Sequence, residues 1–362
     1  MGNQKLEKIS SDMLLSGMYL DSDLYYIVDE NPVLLCHGTV IDATILDRLR
    51  DIAKQDVEIF VGEGTYQKLL KQHEYVSKLN GQIAKRYNET REVMSEFIRE
   101  TSYTNQINQE SMVRLVSMTR NAVDIMQPYF LLQLGSYMSD MDELLQTHSV
   151  DVAILNGMIG RWLGLGDDRI EKLISIGLLH DIGKLRIPDH ILNKPGRLTK
   201  EEFEVVKLHA VYSYEMLVRS GVTDEEILMG VRHHHERITG TGYPDGLMLN
   251  EIPYFAKITS ISDIYDAMIS KRVYKESATP LKVLDSFYRD QFSDLDPRIV
   301  NLFLEQMIRE LNGKLVILSN GDVGKITYIE KMRIAYPLVD VDGTIIQTGP
   351  NCHVVSVCGE IV

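Results

Sequence analysis

Cysteine is scarce in this chain of 362 residues: Cys36, Cys352 and Cys358 are all there are, and no two form a CxxC pair. That argues against a disulfide framework and a cysteine zinc site, and it fits a reducing interior. Long apolar runs are missing as well. No stretch approaches the ~18 residues of a membrane span, and the N-terminal segment lacks the basic-then-apolar order of a secretory signal. The expectation is a cytoplasmic protein with no membrane partner. Positive charge is in deficit too, with 38 Lys and Arg against 52 Asp and Glu, a net −14. A chain so charged is repelled by nucleic-acid backbones and anionic bilayers, so no nucleic-acid polymer is expected as partner. An anionic ligand would need a local group of cations or metals to overcome that field. Internal repeats and low-complexity linkers are also absent.

What is present is ordinary for a globular protein, 44% hydrophobic and 25% charged, but too long for one compact core. Residues 1–62 read as a small α+β module. Gly17–Leu20, Val33–Cys36 and Val57–Val61 are short apolar runs typical of strands, and Asp42–Lys54 sets Ile45, Leu49 and Ile52 on one helical face. Residues 63–132 read as a helical connector in which Val76, Leu79, Ile83, Thr90, Val93 and Phe97 follow a 3/4 spacing. That stripe packs on the chain's own main domain or pairs with a second chain as a coiled-coil seam, which leaves a homodimer open. Residues 133–312 read as an all-helical main domain. Residues 313–362 alternate through Val316, Leu318, Lys325–Ile329, Tyr336–Val339 and His353–Cys358, with turns at Gly321, Gly324, Asp342-Gly343 and Gly349-Pro350. A small antiparallel sheet or barrel is expected there. The fold class is therefore mainly α, a helical bundle between a small α+β module and a small β tail.

Seven of the ten histidines fall between residues 148 and 235. His148 shares a helix face with Val152, Leu155, Ile159 and Leu163. His180-Asp181 closes a helix that turns Leu173, Ile176 and Leu179 inward, and Gly183-Lys184 follows at the break. Thr199-Lys-Glu-Glu202 is a capping box, opening a helix whose inward face runs Phe203, Val206, His209, Ala210, Ser213, Leu217. A second box, Thr223-Asp-Glu-Glu226, opens a helix carrying Ile227, Val231 and His234, with His235 one turn after Val231. Ala256, Thr259, Ser260, Asp263 and Ala267 make a small-residue face with one carboxylate on it. Any one of these histidines alone reads as a hydrogen-bonded core residue. Together, five imidazoles and two carboxylates buried on separate helices cost on the order of several kcal/mol unless something pairs them. Cations do that. The mixed nitrogen and oxygen donors suit iron, manganese, zinc, nickel or cobalt more than calcium or magnesium. A two-metal site is the expectation. His37 and His353 stand isolated and read as structural, and His233 reads as a surface or supporting residue.

His148-Ser149, His180-Asp-Ile-Gly-Lys184, Ile187-Pro-Asp, Lys194-Pro-Gly, Leu198-Thr-Lys-Glu-Glu-Phe203, His234-His-Glu-Arg237, Gly242-Tyr-Pro244, Ile252-Pro and Asp263-Ile-Tyr-Asp-Ala267 occur in that order. Over about 180 residues this resembles the HD-GYP family, a branch of the HD metal-dependent phosphohydrolases that hydrolyses cyclic di-GMP. The resemblance implies one metal on His148, His180, Asp181 and Asp263. It implies a second on His209, His234 and His235, with Asp181 bridging. Some members hold a third metal on a glutamate, but Leu144 stands at that position here, so two metals are expected, most readily iron or manganese. Glu236 would orient a ligand histidine, and Thr239 stands where the family usually has Asp or Asn. Water shared by two cations would become a hydroxide aimed at phosphorus, with Asp181 and Lys184 as catalytic groups. Lys184 would neutralise the phosphate and help the departing 3′ oxygen. Arg272 and Lys275 would grip phosphate or guanine, and Gly242, Tyr243 and Pro244 would shape the pocket wall and offer a docking surface to a diguanylate cyclase or another signalling protein. The products would be pGpG or GMP. Two alternatives stay open: hydrolysis of 3′,3′-cyclic GMP-AMP, and a non-catalytic cyclic di-GMP receptor.

Overall fold

The computed structural model describes residues 6–10, 13–14, 24–28, 31–35, 49, 59–62, 65–126, 144–273, 280–291, 293–320 and 322–357. The chain divides into two compact units, one of residues 1–82, 278–285 and 308–362, the other of residues 83–277 and 286–307. Helices dominate, and no described helix is long and apolar enough to cross a membrane.

The first unit holds two antiparallel sheets. Strands β1 (Leu6–Ile9), β2 (Leu24–Val28), β3 (Asn31–Leu35) and β4 (Ile59–Gly62) pair in the order β1-β4-β2-β3. The expected strand at Gly17–Leu20 and the helix at Asp42–Lys54, apart from Leu49, lie outside the described residues. In the C-terminal tail β5 (Leu315–Leu318), β6 (Val323–Tyr328), β7 (Leu338–Val341), β8 (Thr344–Gln347) and β9 (Val354–Val357) form an open sheet in the order β8-β7-β6-β5-β9. The β7–β8 turn places Asp342 at φ 50° and Gly343 at φ 83°, the left-handed pair that lets a two-residue hairpin follow the strand twist.

The second unit is helical. It takes its residues from α1 (Thr65–Thr104), α2 (Gln109–Ile125), α3 (Leu144–Trp162), α4 (Asp167–Leu179), α5 (Asp189–Leu192), α6 (Lys200–Arg219), α7 (Glu225–Arg232), α8 (Tyr254–Val273), α9 (Pro280–Gln291) and α10 (Pro297–Leu311). A 3-10 turn over Ile182–Arg186 separates α4 from α5. Helix α3 is the axis of the bundle: every residue from Ser149 to Gly160 is buried, the state of a helix with neighbours on all sides. Small residues let those neighbours close in. A Cβ on Gly177 of α4 would lie 2.4 Å from the Ala153 backbone. Asn156 spends its amide on Leu173 O (3.0 Å) and Thr259 Oγ1 (2.9 Å), tying α3 to α4 and α8. Leu173, Ile176 and Leu179 are fully buried, each contributing about 1.5–3 kcal/mol.

Part of the connector stripe is used within this unit, while the side chains of Val76 and Leu79 lie outside the described residues. Ile83, Thr90 and Phe97 are buried, Tyr87, Met94 and Thr101 join them, and the Tyr87 hydroxyl donates to Asp151 of α3. Thr199 caps α6 with the expected box, accepting from Glu202 N at 3.2 Å while Glu202 Oε2 accepts from Thr199 N at 2.7 Å. Two expectations are corrected. Helix α7 is capped by Asp224, which accepts from Ile227 N at 3.1 Å, not by Thr223; Glu226 reaches Arg169 and Lys172 of α4 instead of closing a box. Phe203 is 46% exposed, because the first turn of α6 lies beyond the edge of the core.

Candidate metal centre

Four histidines take their orientation from acceptors that fix the tautomer. His180 Nδ1 lies 2.8 Å from Gly177 O and His234 Nδ1 2.7 Å from Val231 O. Both carbonyls belong to the last turn of a helix, where acceptors lack intrahelical partners. His209 Nδ1 lies 2.7 Å from Val206 O, and His148 Nδ1 lies 2.7 Å from Asp266 Oδ2. A carbonyl or carboxylate oxygen can only accept, so each Nδ1 carries the hydrogen and each Nε2 is left with a lone pair when the ring is neutral. Those Nε2 atoms converge. His148 and His180 face each other at 3.3 Å, His209 and His234 at 3.4 Å, and His235 Nε2 stands 3.1 Å from His209 Nε2. Lone pairs so opposed need a positive charge between or beside them.

The carboxylates stand among them. Asp181 Oδ2 lies 3.3 Å from His180 Nε2 and 3.5 Å from His148 Nε2, while its Oδ1 lies 3.2 Å from His209 Nε2. One carboxylate thus divides its oxygens between two groups of imidazoles. Oδ1 is buried with no hydrogen bond, the condition of an atom kept for a cation. Asp263 lies 3.2 Å from His148 Nε2 through Oδ1 and 3.6 Å from His235 Nδ1 through Oδ2. The donor atoms fall into two groups, Asp181, His209, His234 and His235 in one and His148, His180 and Asp263 in the other, each with its atoms within 4.8 Å of one another. These donors fit two transition-metal ions.

Electrostatics agree with that chemistry. Burial, helped by neighbouring imidazoles, holds His234 well below the usual histidine range; burial brings His235 down to about 3 and also lowers His209. All three rings are neutral at neutral pH. Burial works against ionising Asp181 and Asp263. It is outweighed at Asp181 by Lys184, His180 and His209, and at Asp263 by His148 and His235, so both carboxyls stay well below the ordinary value. His148 is the exception: burial opposes a charge on it, but Asp263 and Asp266 hold its pKa up to about 10, so this ring carries a proton on Nε2 that a bound cation would displace.

The surrounding backbone is shaped to bring these groups together. Ser213 Oγ accepts from Gly183 N at 2.8 Å and donates to His180 O at 2.8 Å, seating the His180-Asp181 corner against α6. Ser260 donates to the His234 carbonyl. Lys184 Nζ donates to Asp181 Oδ2 at 2.5 Å. Tyr243 lays its ring over His235, centroids 4.6 Å apart, with Lys207 Nζ 5.7 Å from the same ring. Tyr243 N bonds His235 O at 3.3 Å, bringing the Gly242–Pro244 segment to the mouth of the cluster.

The expectation for Glu236 is corrected. Its Oε1 accepts from Asp245 N (2.7 Å) and Gly246 N (3.1 Å), and its Oε2 from Leu247 N (2.9 Å). It organises the loop after Pro244, and His148, His180, His209 and His234 find their acceptors elsewhere. His233 is buried and bonds Asp245 Oδ2 at 2.9 Å, supporting the same loop. The side chain of Arg272 and all of Lys275 lie outside the described residues. Asp266 was missed as the partner of His148; its place three residues after Asp263, one turn along the same helix, was the available signal.

A family model described as the HD domain matches residues 134–299. The chain is 35% identical over 200 residues to the cyclic di-GMP phosphodiesterase PA4108 of Pseudomonas aeruginosa, covering 55% of this chain and 48% of that protein. It is 33% identical over 159 residues to 3′3′-cGAMP-specific phosphodiesterase 2 of Vibrio cholerae, covering 44% and 30%. The chain thus spans about half or less of the length of these relatives. Bd1817, an HDG"Y"P protein from Bdellovibrio bacteriovorus, shares the fold with a TM-score of 0.50 at 18% identity, over 83% of this chain and 99% of that one. Residues 134–299 match the HD domain, and the His180–Lys184 and Gly242–Pro244 motifs lie inside that match.

Proposed function

We propose that this chain hydrolyses a phosphodiester bond of cyclic di-GMP, giving pGpG or GMP, at a centre of two divalent transition metals. His148, His180 and Asp263 would hold one ion and His209, His234 and His235 the other, with Asp181 shared. When bound, such ions supply Lewis acidity toward a phosphoryl oxygen and lower the pKa of water toward neutrality. The chain's own residues do the rest. Their fixed tautomers present lone pairs without reorganisation, and Asp181 and Asp263 neutralise cationic charge inside a buried site. Lys184, partly exposed beside Asp181, offers its ammonium to a phosphate oxygen and to the departing 3′ oxygen. Tyr243 walls the mouth with an aromatic face suited to a purine. Arg272 and Lys275 would grip phosphate or guanine, supplying cations that an anion needs in a protein of charge −14. The observation that carries this reading is the convergence of opposed Nε2 lone pairs around the two oxygens of Asp181.

Iron or manganese is the preferred pair for this nitrogen and oxygen set. The protein acts in the cytoplasm, in keeping with its few cysteines, and the Gly242–Pro244 segment doubles as a docking surface for a diguanylate cyclase. A second substrate has support in the relative named for 3′3′-cGAMP. The test is anaerobic purification with elemental analysis, then hydrolysis of cyclic di-GMP and of 3′,3′-cyclic GMP-AMP with iron, manganese and zinc supplied separately. About two metal equivalents and faster turnover of cyclic di-GMP are expected, both lost in Asp181→Ala. Absence of metal, or an Asp181→Ala variant of undiminished rate, refutes the proposal; preference for the mixed ring transfers it to the second substrate.

A further inference from the structure

Tyr243 offers one aromatic face to a purine, whereas a cyclic dinucleotide carries two bases. A second face lies next to it. Phe203 and Lys207 stand one turn apart on α6, the helix that also carries His209, and so share a side of it. The Lys207 ammonium lies 5.3 Å from the centre of the Phe203 ring and 5.7 Å from that of Tyr243, bridging the two. Tyr243 in turn lies over His235, with its centroid 6.3 Å from that of His209. A continuous track of rings with one cation in it thus runs from the metal ligands out to Phe203, which is 46% exposed.

Packing accounts for neither side chain. Phe203 leaves nearly half its surface in water, in the first turn of α6. Among the described residues the Lys207 ammonium has one hydrogen-bond acceptor, Glu204 Oε1 at 2.6 Å. Glu204 is itself 67% exposed, and an ion pair so placed adds little to stability. An ammonium has three N–H donors, so two remain for a ligand. A flat apolar face with a donating cation at its edge fits an aromatic ring that bears acceptors. Guanine presents O6 and N7 side by side, both acceptors; adenine puts an amino donor in the place of O6. We propose that Phe203 and Lys207 form the subsite for a guanine base of the substrate, Phe203 stacking on its face and Lys207 donating to O6 and N7, and that this subsite selects guanine over adenine. This rests on the cyclic di-GMP reading above and adds the side chains that read the base.

Steady-state kinetics on the manganese-loaded full chain test it. KM for cyclic di-GMP, the inhibition constant of cyclic di-AMP as competitor, and metal content are measured on each preparation. Lys207→Met keeps the length of the side chain and removes its donors. KM for cyclic di-GMP should rise by about tenfold while the cyclic di-AMP constant moves far less, with two metal equivalents and kcat retained. Lys207→Arg, whose fork fits the O6 and N7 edge, should keep the preference. Phe203→Ala should weaken both rings by about fivefold or more and leave their ratio alone, and Phe203→Trp should restore both. A Lys207→Met variant that weakens both rings equally shows a cation that attracts charge without reading the base, and overturns the inference. So do wild-type constants in Phe203→Ala, or a fall in metal content or kcat that accounts for the loss. If the manganese-loaded wild type does not hydrolyse cyclic di-GMP, the cyclic di-GMP reading has failed and the inference falls with it; an active wild type with unaltered variants strikes the inference alone.

Discussion

Gly183→Ala adds one methyl group at the point where the His180-Asp181 corner meets α6. That Cβ would lie 2.2 Å from His209 O, 2.4 Å from Ser213 N and 2.8 Å from Ser213 Oγ, where ordinary contact begins near 3.4 Å. Two of the three obstacles are backbone atoms and cannot swing aside. The 3-10 turn and α6 must therefore part by about 1.2 Å, the gap between 2.2 and 3.4 Å. Overpacking of this kind costs about 1–3 kcal/mol, so the variant should fold with a lowered melting temperature. The functional cost is larger. Asp181 and His209 face each other across this seam at 3.2 Å, and metal–ligand distances tolerate only about 0.2 Å of error. At least one metal equivalent should be lost, and hydrolysis should fall by about 100-fold or more. Elemental analysis and single-turnover hydrolysis on the same preparation measure both. A folded alanine variant with full metal content and wild-type rate would show that the close approach at Gly183 does not set the cluster.

Three other expectations follow from single groups. Lys184→Ala should keep both metals and lose roughly 100-fold in kcat with little change in KM; loss of metal instead would show that the lysine serves mainly to hold Asp181, its partner at 2.5 Å. Arg272→Ala should raise KM for cyclic di-GMP and leave metal content alone, and a kcat effect at constant KM contradicts a binding role. Asp224→Ala should cost about 1 kcal/mol at pH 7 by removing the α7 cap. Burial raises the Asp224 carboxyl, but the bonds from Lys172 and Ile227 N outweigh it and leave its folded pKa lowered. Its contribution is therefore complete above the unfolded carboxyl value and lost as pH falls through the folded one. The gap between wild type and variant in urea melts should narrow on acidification, and a widening gap reverses the argument.

Features that depend on one helix at a time were legible from the residues. The inward positions of Leu173, Ile176 and Leu179 and the capping box at Thr199 need only the 3.6-residue repeat and the chemistry of a helix end. The gathering of His148, His180, His209, His234, His235, Asp181 and Asp263 was legible because burying so many polar groups on apolar faces has few solutions. What failed depended on a second element. Thr223-Asp-Glu-Glu226 has the letters of a capping box, yet Glu226 finds Arg169 and Lys172 on α4, cations that sequence spacing does not locate. Glu236 was assigned to an imidazole by the family resemblance, whereas its lone pairs are taken by the N–H groups of residues 245–247. The five-stranded order of the tail shows the same limit, since Thr344–Gln347 is mostly exposed and becomes a strand only by pairing with β7.

The four oriented imidazoles also differ in what aims them. His180, His209 and His234 each bond a carbonyl three residues earlier in their own sequence, so their direction is inherited from the local helix. His148 depends on Asp266, which arrives on α8, and its direction therefore follows the packing of α3 against α8. Any displacement between those helices moves this ligand relative to the other three. Asn156 guards against that displacement from two turns further along α3, bonding Thr259 on α8 and Leu173 O on α4. The His148 subsite is accordingly where remote packing can change metal affinity, while the His209–His234 side stays set by local backbone. A substitution at Asn156 should then weaken the same single metal equivalent as one at Asp266; equal loss from both subsites would show that the cluster moves as one rigid body and that no ligand is separately adjustable.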